Sequence, residues 1–380
     1  HVAFCKERNG TQGRSMMAAA AVCLRVLLFS ALQETLGAPK RSVLADSEED
    51  GVTSLMQVQM APRHAKVHPA DMISRIVFLH IPKTAGTSFI ADAMMVIPSS
   101  IPFQDNGELS LLGTPRMENE TRVVMIRHPL DHVLSQFLEC KYDWWGKRVT
   151  AGTDFPFKEG TYGGLDEWVD HFTQLQNQSV WGFEPDSKEW ARAVSHNCYN
   201  PWNMQSRYLA SEWSHYVPYD ELEPDLQVAR DSLRSVQLVG VPELYVESLC
   251  LVHLETRGSL PDTCACGRRG PLEQISTESH YVPPHSLSEL PESLLQAMSK
   301  LVRIDAQLYV DALNRFESAL RKASARTGVQ MVCEDHLQEV WANATALLDR
   351  LKMENVSSLK RSWNNVHVEV VATAVRSAEG

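Results

Sequence analysis

The chain has 380 residues and a net charge of −11, with 47 acidic side chains against 36 lysines and arginines. That balance excludes general nucleic-acid binding, which needs an extended basic surface, but leaves room for a local basic pocket. A hydrophobic share of 44% is ordinary for a globular protein, and the length allows one large or two medium domains.

In chain order, the first apolar run, Met17 to Leu32, reads as the core of a secretory signal. Arg14 gives it a thin basic flank, and Leu36-Gly37-Ala38 is a suitable cleavage site. The rival is an uncleaved membrane anchor at the N-terminus, weakened because the run is short and Arg25 interrupts it. Residues 1–38 are thus an upstream extension with a signal peptide or signal anchor. Residues 39–72 are polar, include Ser47-Glu-Glu-Asp50, and read as a stem or linker without its own core.

Ile76 to Ile81 is a short apolar run of the kind that forms a buried parallel strand. Pro82-Lys83-Thr84-Ala85-Gly86-Thr87-Ser88 follows, and Phe89 to Val96 has helical periodicity. Strand, tight turn, helix is a geometry that holds phosphate: free backbone N–H groups and the helix dipole face the anion. Lys83 adds a point charge, and Thr84, Thr87 and Ser88 add donors. Gly86 allows close backbone approach. The nucleoside-triphosphate loop has its lysine at the end of a glycine-rich stretch; here Lys83 comes first.

Pro98 to Glu120 is rich in turn residues and reads as a loop. Arg122 to Arg127 is a second apolar strand, ending in Arg127-His128-Pro129 and opening into a helix from Leu130. Pro129 and Asp131 suit its first turn. A guanidinium at Arg127 suits a phosphate, and Ser135, two turns on, reaches the same ligand. Tyr142 to Gly164 reads as a long loop, where Tyr142 and Trp144 are candidates to stack on a sugar or to pack together. Lys141, Lys147 and Arg148 beside them suit an anionic glycan or plain solvation. Helical patterns follow at Leu165–Gln176, Asn203–Glu212, Leu222–Ser235, Glu243–Thr256, Leu287–Lys322 and Val332–Met353, with a strand at Gln237–Val241. Asn203, Gln205 and Arg207 are polar candidates for ligand contact, or simply one helix face. A short alternating run, Val366–Val371, comes last. Strands alternating with helices predict an α/β fold with a parallel sheet.

The turn Pro82 to Ser88 resembles the 5′-phosphosulfate loop of sulfotransferases that use 3′-phosphoadenosine 5′-phosphosulfate (PAPS), above all the heparan sulfate 2-O- and 6-O-sulfotransferases. Arg127 and Ser135 match the arginine and serine that hold the 3′-phosphate in that family. The family's aspartate is His128 here, and its second arginine is His132. Asn203-Met-Gln-Ser-Arg-Tyr-Leu209, Val239-Gly240-Val-Pro-Glu243 with Ser248, and Asp305 to Tyr309 resemble three further family segments, in the same order.

The resemblance implies a P-loop-like three-layer sandwich and a catalytic domain over residues 73–325. Residues 326–380 remain as a C-terminal extension of unknown role. It implies transfer of a sulfuryl group from PAPS to a hydroxyl of a carbohydrate or glycoprotein acceptor, without a metal, in the Golgi lumen. Lys83, Thr84, Ala85, Gly86, Thr87, Ser88, Arg127 and Ser135 would hold the cofactor, and Tyr142, Trp144, Asn203, Gln205 and Arg207 the acceptor. Lys83 would stabilise the leaving group. Many relatives carry a catalytic His or Glu between the two motifs. This chain has no His from Phe89 to Met125, only Asp92, Asp105, Glu108, Glu118 and Glu120. Glu108 is the first candidate base, Asp105 the second acid, and His80 a further candidate. The alternatives are a non-catalytic secreted relative of the same fold and a nucleotide kinase.

Six cysteines follow the apolar leader: Cys140, Cys198, Cys250, Cys264, Cys266 and Cys333. An even number on a secretory route predicts disulfides, with Cys250 to Cys264 or Cys266 the preferred local pair and a zinc site the rival. Four glycosylation triplets begin at Asn119, Asn177, Asn343 and Asn355.

Overall fold

A computed structural model describes residues 73–112, 114–153, 155–177, 198–211, 223–268 and 282–351. The leader, the stem, the Val366–Val371 run and the triplet at Asn355 lie outside these residues, as do the second and third residues of the triplet that begins at Asn177. Asn119 and Asn343 are exposed.

Four parallel strands, β1 (Arg75–Leu79), β2 (Phe103–Asp105), β3 (Glu120–Met125) and β4 (Leu238–Gly240), form one sheet in the order β2-β1-β3-β4. The near-continuous apolar runs have a simple cause: both faces of the sheet are covered. Side chains alternate across the pleat. Ile76, Phe78, Val123, Met125 and Leu238 join one core, which packs against α1 (Gly86–Val96) through Phe89 and Ala93. Val77, Leu79, Val124, Ile126 and Val239 join the other and larger core. That core includes Leu134 and Phe137 of α2 (Pro129–Tyr142).

The loop expected between Pro98 and Glu120 contains β2, whose three residues pair with Ile76, Val77 and Phe78. The loop expected over Tyr142–Gly164 contains α3 (Trp144–Thr150), capped by the Asp143 carboxylate, which accepts from Trp145 N at 2.7 Å. Next come α4 (Leu165–Asn177), α5 (Met204–Ala210) and α6 (Leu226–Ser235). After β4, α7 (Tyr245–Arg257) packs on the first core through Leu249 and Val252. A Cβ on Gly240 would lie 2.5 Å from Met125 Sδ and 2.9 Å from Ser248, so this helix closes on the strand end only because residue 240 is glycine. Ser248 Oγ accepts from Val241 N at 3.0 Å and donates to Leu244 O at 2.9 Å, which fixes the turn between strand and helix.

The helix expected over Leu287–Lys322 is a 3₁₀ turn (Leu287–Glu289) and two helices, α8 (Glu292–Leu301) and α9 (Arg303–Thr327). Asn203 wedges into the break. Its N–H donates to Leu301 O at 2.9 Å, and its Oδ1 accepts from Ile304 N at 2.8 Å and Asp305 N at 3.2 Å. The final described helix, α10 (Glu334–Arg350), adds Leu337, Val340, Ala344 and Leu347 to the larger core.

The six cysteines form Cys140–Cys198, Cys250–Cys264 and Cys266–Cys333, so none is left as a thiolate for zinc. Three disulfides fit an extracellular or secretory-pathway protein. Among the described residues, no helix is long and apolar enough to cross a membrane.

Candidate functional site

The two anion-suited turns leave the C-terminal ends of the neighbouring strands β1 and β3. The strand order reverses direction between these two: β1 connects outward to β2, β3 outward to β4. A crevice opens at such a reversal in parallel sheets, and ligands bind there. The turns are in contact, since Arg127 Nη1 donates to Lys83 O at 3.0 Å.

The first turn is unusual backbone. Lys83 (φ 63°) and Ala85 (φ 67°) both lie in the left-handed region, on either side of Thr84. Two such residues in a row of three turn successive N–H groups toward one concavity, at a cost in strain that favours a functional role. Ala85 is the N-cap of α1 and offers no side-chain cap, so the first N–H groups, from Gly86, Thr87 and Ser88, have no acceptor among the described residues. Thr87 is exposed and Ser88 half-buried. Thr84 departs from expectation. Its hydroxyl is buried and donates to Ile81 O at 2.9 Å, closing the turn instead of pointing at a ligand. Gly86 serves a different neighbour too: a Cβ there would lie 2.1 Å from His80 Cδ2, so the imidazole ring occupies the space that its bare Cα leaves.

Lys83 Nζ meets Glu139 Oε2 at 2.6 Å. Burial pulls the Lys83 ammonium below the ordinary lysine range, with Glu139 opposing and Arg127 reinforcing the shift. Glu139 is a residue that the motifs missed. Its signal was spacing, because four residues past Ser135 on a helix is the same face.

The acids between the motifs separate by position. Asp92 is bound by Tyr245 Oη at 2.7 Å, and Glu120 by Arg75 and Arg122, both away from the turns. Asp105 Oδ1 lies 3.7 Å from His80 Nδ1. Burial alone would raise the Asp105 carboxyl, but His80 and the N–H groups of Gly107 and Asn106 outweigh it and hold the group below the usual range. Glu108, at φ 64°, is in a turn within electrostatic reach of His80, Asp105, Lys83 and Glu139. Burial raises its carboxyl above the ordinary range. The structure therefore brings Glu108, His80 and Lys83 to one place.

The second turn is held by its backbone. Gln205 clamps Arg127, its Oε1 accepting from Arg127 N at 2.8 Å and its Nε2 donating to Arg127 O at 2.9 Å. Glu243 Oε1 accepts from His128 N at 2.7 Å. Ser135 hydroxyl has no hydrogen-bond partner among the described residues. His132 is wholly buried. Its Nε2 is 2.7 Å from Pro82 O and its Nδ1 is 3.2 Å from Gln136 Nε2, so it is the neutral tautomer donating from Nε2. Burial pushes its pKa down to about 3.

His132 makes a pH prediction. The unfolded chain takes up a proton near the ordinary value of about 6.5 and the folded chain only near 3, so stability rises with pH across that window and is lost as pH falls through it. Asp305, raised to about 6 by burial, acts with the opposite sign. Comparing wild type with His132→Gln isolates the histidine. Denaturant unfolding at pH 7.5 and 5 should show a steeper acid loss in wild type, by up to about 2 kcal/mol. Equal losses would remove His132 from the account.

The acceptor candidates divide. Asn203 is buried and fixes the α8–α9 break, and Gln205 is buried under Arg127; neither is available to a ligand. Arg207 Nε donates to Trp202 O at 2.8 Å. Asp305 Oδ1 accepts from Ser206 N at 2.7 Å and Ser206 Oγ at 2.6 Å, and its Oδ2 from Gln205 N at 3.2 Å. Thus Asn203 caps α9 while Asp305 caps α5, and the polar pattern of this helix is reciprocal capping. Lys141 is no surface cation either: its Nζ donates to the carbonyls of Lys158, Gly160 and Gly163 at 2.8, 2.5 and 2.8 Å. Tyr142 is half-buried beneath the same loop, with its hydroxyl 3.3 Å from Gly160 O. Trp144 is 63% exposed, with Arg148 Cζ 4.8 Å from its ring centre. It alone of the aromatic candidates keeps an open face. Comparison with protein-family models and with curated proteins found no match for this chain.

Proposed function

We propose that this protein is a PAPS-dependent sulfotransferase acting on a carbohydrate hydroxyl in the Golgi lumen, built on a P-loop-like three-layer sandwich. The observation that carries this is the contact between the two turns: Arg127 Nη1 donates to Lys83 O at 3.0 Å, at the strand-order reversal. Two anion-suited turns in contact favour one ligand with two phosphates over two separate anions.

The residues fit such a nucleotide. The uncapped N–H groups of α1, with Thr87 and Ser88, suit its 5′-phosphate. The Arg127 guanidinium and the unpartnered Ser135 hydroxyl suit its 3′-phosphate. When bound, the nucleotide supplies the sulfuryl group: the acceptor oxygen bonds to sulfur as the S–O bond to the 5′-phosphate breaks. Lys83 then holds the developing negative charge on the leaving oxygen, exchanging its Glu139 partner for it. Glu108 takes the acceptor proton, and its raised pKa makes it a stronger base than an exposed carboxylate. His80, oriented by Asp105, stabilises the Glu108 carboxylate. Trp144 offers its open face to a sugar ring.

Labelled sulfate transferred from PAPS to a panel of glycans tests this reading. Wild type should transfer, and Glu108→Gln should lose about a hundredfold in kcat with little change in nucleotide affinity. An undiminished Glu108→Gln rate would remove Glu108 as the base, and no transfer to any glycan would favour the non-catalytic relative.

A further inference from the structure

The opposite end of the sheet carries a second cleft. It opens where β3 and β4 begin, between α7 and α9, and has a volume of about 600 Å³, within the range of small-ligand sites. The Lys83 and Arg127 turns leave the other ends of the strands, so the two places are separated by the length of the sheet.

The cleft is basic in an acidic protein. Arg315, Lys322 and Arg326 line it from one face of α9, and Arg116 lines it from the turn before β3. Along a helix the first and last of the three span roughly 16 Å. Arg116 and Lys322 are exposed and make no ion pair among the described residues. Arg315 donates to the carbonyls of Leu233 and Val236 at the end of α6 and has no carboxylate partner among the described residues. Burial lowers it to about 10, so it stays cationic at neutral pH. The cleft's two acids are already engaged: Glu120 with Arg75 and Arg122, and Glu255 with Arg326 at 3.0 Å. Among the described residues, three cations therefore face the cleft uncompensated by carboxylates. Thr121, Ser318 and Gln237 add hydroxyl and amide groups between them.

We propose that this cleft binds a sulfated oligosaccharide, as an anchoring site distinct from the Lys83 site. Cations spread along a helix suit a ligand that carries its anions at intervals, and the intervening hydroxyl and amide groups suit sugar hydroxyls. Three disulfides fit an extracellular or secretory-pathway protein, and sulfated saccharides are abundant in those compartments. The choice of a glycan rests on the function proposed above; the cleft and its charge do not.

The test is calorimetric titration of the full chain with a fully sulfated hexasaccharide at physiological salt. Wild type should bind, and Arg116→Glu/Lys322→Glu, both exposed positions, should bind at least tenfold more weakly. The unsulfated hexasaccharide and inorganic sulfate at equal concentration should give no heat. Lys83→Ala should bind the hexasaccharide as wild type does, which separates this site from the transfer reaction: failure of the sulfotransferase reading would appear as no nucleotide binding by wild type with this titration unchanged. Equal affinity in wild type and the double variant, or no binding by wild type, would overturn the proposal. Equal affinity for a single-stranded oligonucleotide would overturn the glycan assignment.

Discussion

Lys83→Ala is expected to lower sulfuryl transfer about a thousandfold, at the upper end of what removing one charge-stabilising donor costs. The loss should fall on kcat, because the lysine's charge matters most where negative charge builds on the leaving oxygen. The substitution also strips Glu139 of its partner at 2.6 Å, so some loss of stability accompanies it. The double variant Lys83→Ala/Glu139→Gln separates the two effects: stability should return and activity should not. Glu139→Gln alone provides a signature with a sign. Burial already lowers the Lys83 ammonium and Glu139 opposes that shift. Without Glu139 the lysine loses its proton at lower pH, so the alkaline limb of the rate profile should move down in pH. A wild-type rate in Lys83→Ala, or an unmoved limb in Glu139→Gln, would exclude the lysine from the chemistry.

Asp305→Ala is expected to destabilise the fold by about 3 kcal/mol, since it leaves Ser206 N, Ser206 Oγ and Gln205 N buried without their acceptor. Asp305 touches neither turn of the site, yet its loss should also weaken binding of adenosine 3′,5′-bisphosphate. The reason is the chain of contacts: Asp305 caps the helix that carries Gln205, and Gln205 holds both backbone groups of Arg127. Asp305→Asn keeps one carbonyl acceptor and should lose less of both. Chemical denaturation and nucleotide titration on the same preparations would show whether the two losses travel together. Unchanged affinity in a destabilised Asp305→Ala variant would mean that Gln205 needs no support from Asp305.

Much of this architecture was legible because its strands are short apolar runs that end in distinctive turns. Ile76–Ile81 and Arg122–Arg127 announced themselves, and Cys250 pointed to Cys264 or Cys266, of which the fold pairs it with Cys264. β2 did not: three residues within a stretch of Pro, Ser, Asn and Gly carry too little pattern, and only pairing with Ile76–Phe78 makes them a strand. The break at Val302 was equally hidden. Helical periodicity continues through it, and the cause lies at Asn203, about a hundred residues away along the chain.

Polar residues on α5 illustrate the same limit. Composition cannot distinguish an asparagine that meets a ligand from one that caps a distant helix. Lys141 looked like surface charge and is enclosed by carbonyls, because the loop that surrounds it has no pattern of its own. In the proposed site, Lys83, Arg127 and Ser135 were singled out by residue type, spacing and family resemblance. Glu139 was passed over despite its spacing from Ser135, since an acidic residue on a helix usually needs no explanation, and only its meeting with Lys83 gives it one.

The central claim is that one nucleotide spans both turns, its 5′ end at Lys83 and its 3′-phosphate at Arg127 and Ser135. Titration of wild type and Arg127→Ala with adenosine 3′,5′-bisphosphate and with adenosine 5′-monophosphate measures this directly. Wild type should prefer the bisphosphate by at least about a hundredfold, consistent with a charge-assisted pair to the extra phosphate, and Arg127→Ala should lose nearly all of that preference while still binding the monophosphate. Equal affinities for the two nucleotides in wild type, or an undiminished preference in Arg127→Ala, would contradict it.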